Sequence, residues 1–357
     1  MSVTPETRHL MLVGSLPFAD AESTFRWARD AKLADELLFL PDGEPGERAY
    51  WITGQGYRTF NGHPDIETVG RPDRINGVEN WRPQRASEDQ WSFRVKEHVE
   101  HVQFGDAGWR LGYARDAINS YFVFKTLKSA GAIPRDLRFQ VCLPMPLSTC
   151  LVMFRSNQND LKKIVPGFAE ALAAEIKRIV EFIPASELAI QFDSTAEAQA
   201  LTDATAAEMT LGTIDVLFQA VLPEALLGVH FCHGSLPPNT FFMRRPSDLS
   251  VLVNAMNIIS SSTRRVDYIH FPILDHQDSS YYAPLEKLHF TGPRWYLGVI
   301  HGMGDLVDFK QRLSFARRFI PEFGIAAPCG FGRFDFDRLQ RIAEEHLLAL
   351  KIFNDFC

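Results

Sequence analysis

Leu226-Leu227-Gly228-Val229-His230-Phe231-Cys232 is a run of seven residues with no Asp, Glu, Lys or Arg. A short run that is apolar on both alternating faces reads as a β-strand buried on both sides, as in parallel sheets. Seven similar runs are spread along the chain: His9–Gly14, Leu37–Pro41, Leu137–Leu143, Leu188–Asp193, Val266–Leu274, Trp295–His301 and Ile325–Cys329. Helical patterns lie between them. In Leu161–Ile183 the apolar residues Leu161, Ile164, Val165, Phe168, Leu172, Ile176, Ile179 and Val180 recur at close to the helical period. Leu249–Ile259 follows Ser247 and Asp248, both good N-cap residues. Phe309–Phe319 and Phe336–Phe353 repeat the amphipathic pattern. Eight strands alternating with helices predict an α/β fold, a (β/α)8 TIM barrel spanning 1–357 as a single domain. A doubly wound open sheet is the competing architecture. No Gly-x-Gly-x-x-Gly follows the first run, which argues against its dinucleotide-binding version.

The composition agrees with an enzyme-sized globular chain: 357 residues, 46% hydrophobic and 23% charged. Lys+Arg 37 against Asp+Glu 44 gives a net charge of −7, against a general nucleic-acid or anionic-membrane surface. No apolar run reaches the roughly 18 residues of a membrane span, and the opening stretch does not read as a signal peptide. The cysteines stand at the irregular positions 142, 150, 232, 329 and 357. An odd, scattered set suits a reducing compartment, with thiols used in packing or metal binding, so a cytoplasmic protein is expected. Residues 43–108 break the rhythm, being rich in Gly, Pro, Asn and Arg and holding Trp51, Trp81 and Trp91, with Trp109 just beyond. This stretch is expected to be an insertion after the second strand, folded as a lid over the C-terminal face with Trp51 and Trp81 as an aromatic wall. The plainer alternative is an extension that closes a barrel end or makes a contact in a homo-oligomer.

Residues i and i+2 of a strand share a face, so His230 and Cys232 both point into the barrel mouth. Cys329 ends the last run, and barrel closure brings all strand ends around one mouth. One His and two Cys are donors that zinc accepts, and three protein ligands leave a coordination position open. Taken alone, a buried Cys is more often a small hydrophobe. Gln191 and Asp193 share a face at the end of the fourth run, with Glu197 four residues on. Asp193 or Ser194 can equally cap the next helix. Asp42 and Glu44 flank Gly43 after the second run, near Arg48 and Trp51, and can bind a cationic or hydroxylated group. An Asp-Gly turn is the alternative. His301 ends the seventh run, placed for general acid or base work or as a polar rim residue.

Val13-Gly14-Ser15-Leu16-Pro17, Gln191-Phe192-Asp193, His230-x-Cys232 and Cys329-Gly330 resemble, in that order, the barrel of cobalamin-independent methionine synthase. Its superfamily includes uroporphyrinogen decarboxylase and the zinc-dependent coenzyme M methyl- and alkyltransferases, and the resemblance runs from about His9 to Arg333. It implies that His230, Cys232 and Cys329 bind one Zn2+, which in turn binds an acceptor thiol. It implies a substrate site in which Gly14 and Ser15 bind a carboxylate and Asp193 holds an amine or acts in proton transfer. An Asp-Gly-Glu…Arg…Trp pattern shared by other members is matched by Asp42, Gly43, Glu44, Arg48 and Trp51. The fourth zinc ligand of methionine synthase, a glutamate, finds its nearest equivalent in Pro272. Asp275 or His276 can substitute, the site can have three ligands as in the coenzyme M transferases, or the metal can have been lost.

The resemblance thus implies a zinc-dependent methyl- or alkyltransferase with small-molecule partners, a thiol acceptor and a methyl or alkyl donor, while the net charge and the lack of a long apolar run argue for no nucleic-acid and no membrane partner. The donor set agrees with it. A thiol of pKa near 8.5 is only a few per cent ionised at pH 7, and zinc coordination deprotonates it. Two cysteinates and a neutral histidine leave the centre formally neutral, so a bound thiolate keeps electron density for attack on an alkyl carbon. Two other readings stay open. One is a metal-free decarboxylase or lyase using Asp193, Asp42 and Arg71, Arg74, Arg82 and Arg85; the other is a non-catalytic barrel that binds a small molecule.

Overall fold

The structure is a computed structural model that describes residues 8–50, 54–74, 76–78, 91–105, 111–155, 157–234, 239–275, 278–289, 292–302 and 306–356. Its strands are β1 (Leu10–Met11), β2 (Phe39–Pro41), β3 (Ile66–Gly70), β4 (Ser92–Val95), β5 (Arg138–Pro144), β6 (Leu188–Ser194), β7 (Leu226–Phe231), β8 (Tyr268–Pro272), β9 (Arg294–Gly298) and β10 (Gly324–Ala326). All but β3 and β4 join one parallel sheet in the order β1-β10-β9-β8-β7-β6-β5-β2. A parallel bridge between Leu10 and Leu37 brings the segment leading into β2 back to β1. This is a (β/α)8 barrel, and each of the eight apolar runs overlaps one of its strands, four strands reaching one residue beyond the run, at Pro144, Ser194, Arg294 and Gly324. Cys232 lies just past β7, yet its N–H still donates to the Ser194 carbonyl at 2.8 Å.

The helices are α1 (Ala21–Asp30), α2 (Tyr113–Ser129), α3 (Pro146–Met153), α4 (Gln158–Phe182), α5 (Glu197–Leu201), α6 (Ala207–Ala220), α7 (Ser250–Ile259), α8 (Ser279–Tyr282), α9 (Leu306–Arg317) and α10 (Leu339–Phe356). Side-chain caps start some of them: the Asp20 carboxylate accepts from Ser23 N–H at 2.7 Å, and Asn157 Oδ1 from Asp160 N–H at 3.2 Å. The N-cap of α7 is Leu249, with no side-chain cap, so neither Ser247 nor Asp248 caps it. Among the described residues no helix is long and apolar enough to cross a membrane.

The apolar core has two parts. The larger lies between sheet and helices. The smaller, Met11, Val13, Phe39, Ala189, Tyr268, Tyr296 and Ala326, fills the barrel interior, with the Phe39 and Tyr268 rings stacked at 4.5 Å. Polar side chains are carried toward the strand C-termini, above this plug, where barrel loops build sites.

After β2 the chain runs through the antiparallel pair β3–β4 before reaching α2. Trp91 and Phe93 stack with nearly parallel rings, and Phe60 packs on Phe93, on Phe154 after α3 and on Phe168 of α4. Arg58 pairs with Asp116 of α2 at 3.2 Å. This part is therefore held against the outer helices, whereas the stretch nearest β2 meets the mouth: Arg333 donates to the Ala49 carbonyl at 2.9 Å. Trp51, Trp81, Arg82 and Arg85 lie outside the described residues.

Candidate metal centre

Strand register sets Asp193 of β6 beside His230 of β7, and His230 beside His270 of β8. At their ends one ring nitrogen of His230 and the sulfurs of Cys232 and Cys329 come within 4.8 Å of one another, all three donors enclosed by the fold. The sulfurs are 3.5 Å apart. A disulfide would need about 2.05 Å, whereas two thiolates on one tetrahedral zinc, with Zn–S near 2.3 Å, are about 3.8 Å apart. The observed spacing is close to the second value. Cys329 has its pKa pushed well down, chiefly by the thiol of Cys232, with the His230 ring adding to the effect. Cys232 is correspondingly pushed well up by the same contact.

His230 supplies the clearest sign that this cluster suits a metal. Its Nδ1 lies 2.6 Å from Nδ1 of His270, while its Nε2 is buried with no hydrogen-bond partner among the described residues. A buried imidazole nitrogen left in that state beside two sulfurs is what a metal would complete. Among the described residues the cluster has three donors and no carboxylate. The β8 position expected to carry a glutamate is Pro272, Asp275 is ion-paired with Arg245, and His276 lies outside the described residues.

A second group, Glu44, Cys142 and Asp193, also has its donor atoms within 4.8 Å. Gly14 makes room for it: a Cβ there would stand 2.7 Å from Glu44 Oε1 and 3.0 Å from Cys142 Sγ. Gln191 Nε2 donates to Asp193 Oδ1 and to the Val13 carbonyl, both at 2.8 Å, and Gln140 donates to the same carbonyl at 2.9 Å. Glu44 has its pKa pushed up to about 8, by burial first and then by Asp42, against the pull of Arg48. Asp193 is pushed well up by burial and then by Glu44. Burial, with Asp193 and Glu44 behind it, likewise pushes the Cys142 thiol well up. Two acids that resist ionisation this close together form a site waiting for a cation.

The other sequence candidates take different places. Asp42 accepts from Arg48 at 2.7 Å and from the Glu44 backbone N–H at 2.9 Å. It thereby holds Glu44 at a left-handed φ of 49°, a conformation that a non-glycine residue avoids unless its surroundings impose it. Asp42 and Arg48 position Glu44. Ser15 sits against the turn after β10, its carbonyl accepting from Phe331 N–H at 2.6 Å and its Oγ from Gly332 N–H at 3.2 Å. Gly330 is required there, because a Cβ would meet Ser15 Oγ at 2.4 Å. Glu197 stands apart from both clusters: its carboxylate accepts from Ser148 N–H at 2.8 Å and from Ser194 Oγ at 3.1 Å, bracing the starts of α3 and α5. Asp193 does not cap α5, whose N-cap position is Ala196. The His301 ring donates to the Gly298 carbonyl at 3.2 Å and packs edge-on against Phe242. Burial, helped by Arg312, pushes its pKa down to about 3, so it is neutral near pH 7 and a poor general acid.

The fold is similar to that of a B12-independent methionine synthase from Shewanella sp. W3-18-1, solved in complex with selenomethionine. The TM-score is 0.60 at 15% sequence identity, covering 94% of this chain and 88% of that one. An Old Yellow Enzyme from Pichia sp. AKU4542 aligns over 58% of this chain and 55% of that chain, with 11% identity and a TM-score of 0.29, too low to carry an argument. The chain matches no protein-family model, and no curated protein matches it in sequence. At 15% identity the methionine synthase likeness is one of fold, so the chemistry has to be argued from the residues.

Three site residues were not singled out by their sequence context: Gln140, Cys142 and His270. Each joins the site through strand register, which the sequence alone does not give. Cys142 pairs with Gln191 across β5 and β6, Gln140 lies two residues before it on the same face, and His270 stands opposite His230.

Proposed function

We propose that the chain is a zinc-dependent methyl- or alkyltransferase whose acceptor is a small thiol bearing a primary amine. The observation that carries this reading is the meeting of His230, Cys232 and Cys329 within 4.8 Å, with the Nε2 of His230 left for a metal. These three residues would hold Zn2+, which supplies, when bound, the acceptor thiol in its thiolate form at neutral pH. Glu44 and Asp193 bind the acceptor's ammonium. Their raised pKa values mean that the amine replaces a proton there and restores both carboxylates to the charged form. Gln191 orients Asp193, and the Asp42–Arg48 pair orients Glu44. Ser15 Oγ accepts from Gly332 and so keeps its own hydroxyl proton to donate to an acceptor carboxylate. In the transfer, the acceptor sulfur forms a bond to the alkyl carbon of the donor, and the donor's leaving group departs with the electron pair of the broken bond. In this reading the barrel is one domain over 1–357 with 43–108 as its insertion, and the stretch of the insertion nearest β2 borders the pocket.

The test uses the protein loaded with cobalt(II) in place of zinc. An amine-bearing thiol should produce sulfur-to-cobalt charge-transfer absorption, and its S-methyl thioether should compete for the pocket without producing the band. Absence of the band with every small thiol tried, in protein shown to hold the metal, would contradict thiol activation.

A further inference from the structure

The sequence places a histidine at 270, in the middle of a strand whose five residues are all buried, Tyr268-Ile269-His270-Phe271-Pro272. A buried imidazole needs partners for both nitrogens, and this one has them. Its Nε2 lies 3.0 Å from the Ala327 carbonyl, and its Nδ1 lies 2.6 Å from Nδ1 of His230. A carbonyl oxygen can only accept, so the ring proton of His270 is on Nε2. The side chain is fully enclosed and, among the described residues, its two nitrogens meet that carbonyl and the second imidazole alone. A second proton on the ring would be a buried charge without a counter-charge, so Nδ1 carries a lone pair. Two ring nitrogens 2.6 Å apart cannot both present lone pairs, and the proton between them therefore belongs to His230 Nδ1. That leaves Nε2 of His230 as the nitrogen with the lone pair, beside the two sulfurs.

We propose that His270 is a positioning residue for the metal centre: held by the Ala327 carbonyl, it accepts the Nδ1 proton of His230 and so presents the Nε2 lone pair of His230 to a metal shared with Cys232 and Cys329. The proposal rests on the reading of this cluster as a metal centre. Metal-bound histidines commonly donate their second nitrogen to a carboxylate or carbonyl, which fixes the tautomer and the ring orientation. Here an imidazole does that work, relayed to a backbone carbonyl of the loop that carries Cys329. The relay thereby ties β7, β8 and the segment after β10 together, so that one ligand is oriented from the strand end that carries another. His270 does not touch substrate in this account, and its effect passes through His230.

The experiment has two parts. Long-range proton–nitrogen spectra of the histidine rings, recorded on the zinc-loaded protein, should show His230 protonated on Nδ1 with zinc on Nε2, and His270 protonated on Nε2. Zinc affinity is then measured by competition with a chromophoric chelator. His270→Leu should weaken zinc binding by about 10–100-fold, the range seen when an outer partner of a metal ligand is lost. His270→Asn, which keeps an acceptor near the position of Nδ1, should recover most of the affinity. Cobalt absorption spectra of the variants should report altered ligand geometry for Leu and near-native geometry for Asn. A His230 ring bound through Nδ1, or a folded His270→Leu protein with zinc affinity within about twofold of the parent, would overturn the proposal. If His270→Leu does not fold, the spectra of the parent protein and the Asn variant decide it. Failure of the parent to bind zinc at all would overturn the metal centre itself and is a separate result.

Discussion

Two groups of three donors lie at the same end of the barrel, and they have been built for different occupants. In one, His230, Cys232 and Cys329 are soft donors, and the pair of sulfurs keeps one thiol pushed well down by the other. In the other, formed by Glu44, Cys142 and Asp193, the Gln191 amide holds Asp193 and the Asp42–Arg48 pair holds the Glu44 backbone. Burial nonetheless pushes both carboxyls up, with Asp42 adding to the effect on Glu44 and Glu44 to that on Asp193. The first arrangement favours a metal ion, and the second favours a proton or an ammonium. Distance alone does not separate them, since in both the donor atoms lie within 4.8 Å of one another. Donor chemistry and outer partners do. The comparison teaches that closeness of ligating atoms is weak evidence until the state of each donor has been worked out.

The largest expected effect is at the sulfur end. Cys329→Ser should lower zinc affinity by more than the about 10–100-fold typical of losing an outer partner, while binding of an amine ligand that lacks a thiol stays near the parent value. Chelator competition and calorimetry measure the two separately. Loss of both together would mean that the groups are one site and would break the comparison.

The next effect is at the carboxyl end. Glu44→Gln removes one charged partner of the amine, a loss of about 2 kcal/mol or roughly 30-fold in affinity. The pH dependence sharpens this. Below about 8 the free protein holds a proton on Glu44 that the amine must displace, so affinity in the parent should rise with pH up to that value and Glu44→Gln should flatten the profile. The sign for stability is opposite. The folded protein holds the Glu44 proton more tightly than the unfolded chain, so stability should fall as pH rises from the unfolded carboxyl pKa of 4.5 through about 8. Melting curves of the ligand-free parent and of Glu44→Gln over that range check it, and a parent whose Glu44-dependent stability rises with pH would refute the assignment.

The sequence made the barrel readable because parallel strands buried on both faces leave short apolar runs with few charges, and each of the eight overlaps a strand. The meeting of His230, Cys232 and Cys329 was readable for a related reason: the period of two put His230 and Cys232 on one face, and closure of the barrel brought Cys329 to them. What could not be read was lateral. His270, Cys142 and Gln140 belong to the site through strand register, and register depends on how neighbouring strands slide relative to each other. Glu197 shows the converse. Its spacing after Asp193 placed it near the pocket, but a hydroxyl and a backbone N–H across the βα loops take up its carboxylate.

A smaller effect is expected of Arg48→Ala. It leaves the acids in place but removes the guanidinium that holds Asp42, and with it part of the support for the strained Glu44 backbone. Amine affinity should fall by about fivefold, corresponding to about 1 kcal/mol for a partly exposed hydrogen-bonded pair. Zinc affinity should be unaltered. A drop as large as that of Glu44→Gln would place Arg48 in direct contact with the ligand instead.

The measurement that bears most directly on the metal assignment is the zinc content of the protein purified without chelator, compared with Cys232→Ser and Cys329→Ser proteins prepared the same way. About one zinc per chain in the parent and well below one in each variant is the predicted result, since the serine hydroxyl is not a thiolate donor. Zinc well below one equivalent in the folded parent, unchanged after incubation with excess zinc under reducing conditions, would contradict the account.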